Sequence, residues 1–218
     1  MLPVFQSEDL YQTALVHRSF LNETDSTESN ERLEFLGDAV LELATTQFLY
    51  AAYPNANEGV MTSYRAALVK TVTLAQVAKE LGLDQELKMS KGEERSGGRE
   101  NPSLLADTFE AVLGALYLDQ GFDVCVTFLQ DALFPRFDQI LKDETYKDYK
   151  TTLQELVQAQ GKSTPIYVTV NETGPDHLKT FTVEVRIDGE AIGSGVGKSK
   201  QDASQEAAKL ALEKLGNN

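Results

Sequence analysis

Residues 30–42 read Asn30-Glu-Arg-Leu-Glu-Phe-Leu-Gly-Asp38-Ala-Val-Leu-Glu42. At 100° per residue on a helix, Glu31, Glu34 and Asp38 fall within a sector of about 60°. Leu33, Leu36, Val40 and Leu43 lie on roughly the opposite side, and this spacing predicts that they face a core. A solvated helix face ordinarily interleaves Lys or Arg at i±4. Glu34 instead has Asp38 at i+4 and Glu31 at i−3, with no base at helical spacing. Phe35 sits away from the leucine stripe, about 40° from Glu31 on the wheel.

A second helix is expected from Pro102 onward. Asn101 is a good N-cap and Pro102 suits the first helical position. Asp107 and Glu110 share a face of it, while Leu105, Phe109, Val112, Leu113 and Leu116 supply apolar packing. Asp107 also lacks a basic neighbour at helical spacing. Several carboxylates gathered on one face repel one another, so at least one protonates unless a cation sits among them. Oxygen ligands without Cys or His select hard cations, Mg²⁺ or Mn²⁺. If the two acidic faces pack together, they form a four-carboxylate divalent site suited to phosphoryl chemistry. Glu58, in the loop-like run Tyr53-Pro-Asn-Ala-Asn-Glu-Gly59, is a weaker candidate. Neither histidine lies near a Ser or Cys in a nucleophile motif, and His17 is followed by Arg18 rather than Asp.

Around these helices the chain is acidic and divided. Its 218 residues hold 20 Lys+Arg against 34 Asp+Glu, a net of −14. A phosphate binder usually carries excess positive charge, so this balance argues against the simplest nucleic-acid reading. The acidity is uneven, however: residues 1–145 carry 11 basic and 24 acidic side chains, residues 146–218 carry 9 and 10. Texture changes at the same place. The earlier part is helical in pattern, with long segments around 30–51, 60–82 and 102–119. The later part reads as a helix (148–160), strands at Ile166–Val170, Phe181–Ile187 and Glu190–Gly195, then an Ala-rich helix (199–215). Asp188-Gly189 is a strong hairpin signal, because both central residues of that turn favour positive φ. A boundary is expected near 143–147, giving domains over 1–143 and 147–216. No run approaches 18 apolar residues, so no membrane partner is expected. Residues 1–12 lack a secretory signal, and Cys125 is alone, which fits a reducing cytoplasm.

The stretch Asn30–Asp38 resembles the signature of the ribonuclease III family. Ala14-Leu-Val-His-Arg-Ser-Phe20 resembles the family's N-terminal helix. Lys91-Gly-Glu-Glu-Arg-Ser-Gly-Gly-Arg99, Ser103-Leu-Leu-Ala-Asp107 and Phe109–Asp119 resemble its second block. The resemblance implies an α+β, multidomain chain: an all-α endonuclease domain that dimerises, then an α-β-β-β-α double-stranded RNA-binding domain. It places the catalytic, metal-binding carboxylates on Glu34, Asp38, Asp107 and Glu110, with accessory acids at Glu31 and Glu58. It also implies that Phe35 packs into the partner of a homodimer, whereas the helix pattern alone leaves an ordinary core position open. In the second domain, Thr151, Gln154 and Glu155 match residues that meet 2′-hydroxyls in a minor groove. His177, in the loop Gly174-Pro-Asp-His177, matches a second groove contact. Lys198 and Lys200 match a phosphate clamp at a helix N-terminus. Gln201 and Asp202 follow where the family's basic run continues, so a weak, salt-sensitive clamp is expected.

The function implied is Mg²⁺-dependent cleavage of double-stranded RNA (Mn²⁺ substituting), leaving 5′-phosphate and 3′-hydroxyl ends and maturing ribosomal precursors and structured transcripts. No small-molecule cofactor is expected. The rival reading is a dimer that binds duplex RNA without cutting it; the complete acid set argues against it.

Overall fold

The computed structural model describes residues 2–24, 28–175 and 178–216. The chain divides into two compact units, Met1–Tyr146 and Lys147–Asn218.

Among the described residues the regular structure of the first unit is helical apart from one isolated parallel bridge between Val16 and Lys88. Its helices are α1 (Glu8–Ala14), α2 (Glu31–Ala52), α3 (Glu58–Leu68), α4 (Thr71–Glu80), α5 (Leu83–Glu86), α6 (Lys91–Arg95), α7 (Pro102–Gln120), α8 (Phe122–Ala132) and α9 (Phe137–Lys142). The segment 60–82 is thus two helices rather than one. The break falls at Lys70, whose backbone is extended, and α4 restarts after it. Asn57 caps α3 by accepting a hydrogen bond from the Val60 N–H at 2.9 Å.

At the centre lies α7, buried along nearly its whole length from Leu105 to Leu116. Asn101 caps it as expected, accepting from the Ser103 N–H at 3.0 Å with Pro102 in the first turn. The helix packs on α2 backbone to backbone. A β carbon placed on Gly37 would sit 1.8 Å from the Glu110 carbonyl oxygen, and one on Gly114 would sit 2.1 Å from that of Leu33. Only glycines permit this approach.

The face that α2 turns inward differs from the one expected. Leu33, Gly37, Val40, Leu41, Ala44, Thr45 and Leu49 are buried, whereas Leu43 is 59% exposed. Packing through Gly37 rotates the helix toward Leu41 and Thr45, and Leu43 swings out. Phe35 is 82% exposed, which removes the core reading for it.

The second unit runs α10 (Tyr149–Ala159), β1 (Ile166–Thr173), β2 (Thr180–Ile187), β3 (Glu190–Gly197) and α11 (Lys200–Gly216). The sheet is antiparallel in the order β1-β2-β3. Asp188 and Gly189 take φ of 53° and 86°, the paired positive values of the expected tight turn. β1 runs three residues past the expected Val170, because Asn171, Glu172 and Thr173 pair with Thr182, Phe181 and Thr180 beyond a bulge. Polar residues carried no period-2 signal there. Gly193, Gly195 and Gly197 let α11 lie directly on β3: a β carbon at Gly195 would meet the Ala207 nitrogen at 2.2 Å. Leu153, Val157, Val185, Ile187, Ala207, Ala208 and Ala211 form the core of this unit.

Candidate metal centre and nucleic-acid interface

The α2–α7 crossing decides where the acids meet. Because Gly37 abuts Glu110, the residues one turn before Gly37 and one turn before Glu110 are brought face to face. Glu34, Asp107 and Glu110 then present one carboxylate oxygen each, all within 4.8 Å of one another. All three side chains are half-buried. Among the described residues none of these three carboxylates makes an ion pair or a side-chain hydrogen bond. Such a group of charges is costly without a cation.

The electrostatics follow. Burial pushes the Glu110 carboxyl up to about 8, aided by the charges of Asp38, Asp107, Glu34 and Glu42. Burial also raises Glu34, with Asp107, Glu31 and Asp38 adding to it. Asp107 is raised by burial against the opposing pull of His17 and Arg18. The oxygen-only donor set and its surplus negative charge fit a hard divalent cation.

Asp38 lies outside the three-oxygen group. It is exposed, yet after burial its charge is the largest influence on Glu110. Glu31 adds to the field at Glu34 while pairing with Arg18 at 3.4 Å and accepting from the Ser29 hydroxyl at 3.0 Å. Glu58 opens α3, is exposed, and is not joined to the group by any hydrogen bond or ion pair.

Two neighbours were not expected at the centre. His17 is half-buried with Nδ1 2.8 Å from the Ser19 hydroxyl; burial holds its ring below the ordinary imidazole range, and when protonated it favours the charged form of Asp107. The Ser19 hydroxyl in turn accepts the Ser90 N–H at 3.0 Å, and the His17 N–H donates to the Lys88 carbonyl at 2.9 Å. Glu42, paired with Arg65 at 2.7 Å, contributes to the field at Glu110. Helical periodicity could not place His17 beside α7, since the contact crosses some ninety residues of chain; only its place in the Ala14–Phe20 stretch pointed to it.

In the second unit, Thr151 and Gln154 line a polar cleft of about 340 Å³ with Lys150, Tyr167, Gln201 and Gln205. Asp148 organises it: its carboxylate accepts from the Thr151 hydroxyl at 2.7 Å and from the Gln205 amide at 2.9 Å. Glu155 is exposed on the same helix. Ser199 caps α11 by accepting the Asp202 N–H at 3.0 Å, leaving Lys198 and Lys200 exposed on either side of it. Lys200 is paired with Glu172 at 2.8 Å. His177 lies outside the described residues.

Comparison with known proteins agrees with this division. Residues 7–137 match a family model described as Ribonuclease-III-like, and residues 149–215 match the double-stranded RNA binding motif. The chain is 50% identical to Ribonuclease 3 of Pelotomaculum thermopropionicum over 96% of its length and 88% of that protein's. It is 46% identical to Ribonuclease 3 of Streptococcus thermophilus over 98% and 94%. Among solved structures, the nuclease domain of ribonuclease III from Campylobacter jejuni, described with a region involved in dimer formation, matches with a TM-score of 0.57. That likeness has 39% identity and covers 61% of this chain and 92% of the other. Dicer from Pichia stipitis matches with a TM-score of 0.50 and 30% identity over 97% and 96%. With identity at this level along nearly its entire length, and with an acid-lined helix crossing followed by a double-stranded RNA binding motif, the chain belongs to the ribonuclease III family of endoribonucleases.

Proposed function

We propose that the chain cuts double-stranded RNA by divalent-metal-dependent phosphodiester hydrolysis, leaving 5′-phosphate and 3′-hydroxyl ends. The observation that carries this reading is the meeting of Glu34, Asp107 and Glu110, none of which makes an ion pair among the described residues. These three and Asp38 would hold the ion, Mg²⁺ or in its place Mn²⁺. When bound, a divalent cation acidifies water at neutral pH and offsets charge on a leaving oxygen. Glu110 keeps a proton near neutrality while the centre is empty and releases it on loading. Glu31, whose charge acts on Glu34, would be an accessory acid at the edge of the centre; Glu58 is assigned an accessory role by family resemblance alone.

Thr151, Gln154 and Glu155 would read 2′-hydroxyls, while Lys198, Lys200 and the capped N-terminus of α11 would meet phosphates. His177 belongs to the same proposal as a groove contact. Phe35 is exposed at a hollow of about 1060 Å³ whose lining mixes Leu10, Leu21, Leu36 and Leu118 with Glu31 and Arg32, and Leu43 and Tyr50 are further exposed apolar residues of the same helix. A second copy of the chain would cover them, so the working form is a homodimer. Among the described residues no helix is long and apolar enough to cross a membrane. The lone, buried Cys125 fits a reducing cytoplasm, where ribosomal precursors and structured transcripts would be the substrates.

The test is incubation of a long RNA duplex with the chain and Mg²⁺. Discrete shorter duplexes with 5′-phosphate ends are expected; binding without any nicking, at every metal concentration, would overturn the reading.

A further inference from the structure

Glu172, near the end of β1, stands between two of the regions proposed above to contact RNA in the second unit. Lys200 Nζ, at the start of α11, lies 2.8 Å from its Oε1. Lys179 Nζ, just before β2, lies 3.5 Å from its Oε2. One carboxylate therefore joins the exit of the β1–β2 loop to the N-terminus of α11. The hydrogen bond from Lys200 is the chief reason that the Glu172 carboxyl is held below the usual range. Gln201 and Asp202 follow Lys200, so few ammonium groups serve this edge, and Glu172 occupies two of them.

A carboxylate with both oxygens turned to ammonium groups offers the same acceptor pattern as the two non-bridging oxygens of a phosphodiester. Resting on the reading that Lys200 meets duplex phosphate, we propose that Glu172 is a built-in competitor for that phosphate, setting the affinity and salt dependence of the RNA grip. Lys200 is 61% exposed on its side chain, so its pair with Glu172 is weak enough to open. A phosphate arriving at Lys200 must displace or share the carboxylate, which then remains within a Debye length of the duplex backbone and repels it. The opposite role, in which Glu172 holds Lys200 in place for RNA, is disfavoured by a second anchor. The Lys200 ammonium lies 5.5 Å from the centre of the Phe181 ring, which orients the side chain without Glu172.

The experiment measures fluorescence anisotropy of a labelled RNA duplex longer than the roughly 16 bp that such a module spans. The full chain is titrated in EDTA, to prevent cleavage, over a series of KCl concentrations. Glu172→Gln removes the charge and keeps the shape. It should tighten binding by about three- to tenfold near 0.1 M salt and steepen the slope of log affinity against log salt by about one. Glu172→Ala should act in the same direction, and thermal melts confirm that both variants fold. In Glu172→Gln carrying Lys200→Gln, most of the gain should vanish. Unchanged or weaker binding by folded Glu172→Gln would overturn the inference. Lys200→Gln alone separates it from the reading beneath it. If that variant weakens binding but Glu172→Gln does not tighten it, only the competitor role falls. If Lys200→Gln is silent, the phosphate role of Lys200 falls and takes the competitor with it.

Discussion

Gly37 is pressed against Glu110: a β carbon on residue 37 would lie 1.8 Å from the Glu110 carbonyl oxygen. The same crossing that seals the core of the first unit therefore sets the spacing of the acids. Fold and site are one arrangement here, because neither helix can move without parting Glu34 from Asp107 and Glu110.

Gly37→Ala should thus damage stability and the site together. The contact is with backbone, which cannot swing aside, so a loss of about 3 kcal/mol or more is expected. Gly114→Ala should behave alike, its β carbon meeting the Leu33 carbonyl oxygen at 2.1 Å. Gly59→Ala is the control: its nearest neighbour is the Asn57 Oδ1 at 3.5 Å, and it sits in a helix, so it should be neutral or slightly stabilising. Thermal melts of the three variants check the contrast.

Stability without metal should fall as pH rises. Glu110 titrates at about 8 when folded against 4.5 ordinarily, so the folded state binds the extra proton between those values. Its relative contribution is greatest below 4.5 and is lost progressively as pH climbs through 8. Melts in EDTA between about pH 5 and pH 8 should show a declining midpoint, with a shallower decline in Glu110→Gln. The apparent affinity for Mn²⁺, followed by calorimetry, should rise across the same window as the proton is expelled.

Phe35→Asp should convert a dimer to a monomer in sedimentation experiments. The side chain is 82% exposed within one chain, so the monomer itself should change stability by no more than about 0.5 kcal/mol. Persistence of an undiminished dimer would place the subunit contact elsewhere.

Removal of residues 147–218 should leave a dimer that still cuts duplex RNA, but only at low salt. The remaining unit carries nearly all of the net negative charge, −13 of −14, and loses Lys198 and Lys200. A filter-binding series in KCl, run beside the cleavage assay, reads the lost grip.

The sequence made some of this legible because local chemistry wrote it. Asn101-Pro102 opened a helix, Asp188-Gly189 closed a hairpin, and the acids on each helix announced themselves by lacking bases at i±4. What depended on distant parts of the chain was hidden. Leu43 looked like core because helical spacing alone cannot say which side a glycine will press to a neighbour. Gly37 was part of a recognisable stretch, yet its partner, the Glu110 backbone, lies more than seventy residues away. His17 reached Asp107 for the same tertiary reason. The polar end of β1 carried no alternation, so Glu172 and its two lysines came into view only with the register of the sheet.

On this reading Glu34, Asp38, Asp107 and Glu110 form one metal-dependent cleavage centre. Its most direct test is single-turnover cleavage of a long duplex by Glu110→Gln over a Mg²⁺ titration, with duplex binding measured in parallel. Cleavage should drop by at least about 100-fold at every Mg²⁺ concentration while binding stays near that of the unaltered chain. Cleavage at a near-unaltered rate, or cleavage by the native chain in EDTA, would contradict it.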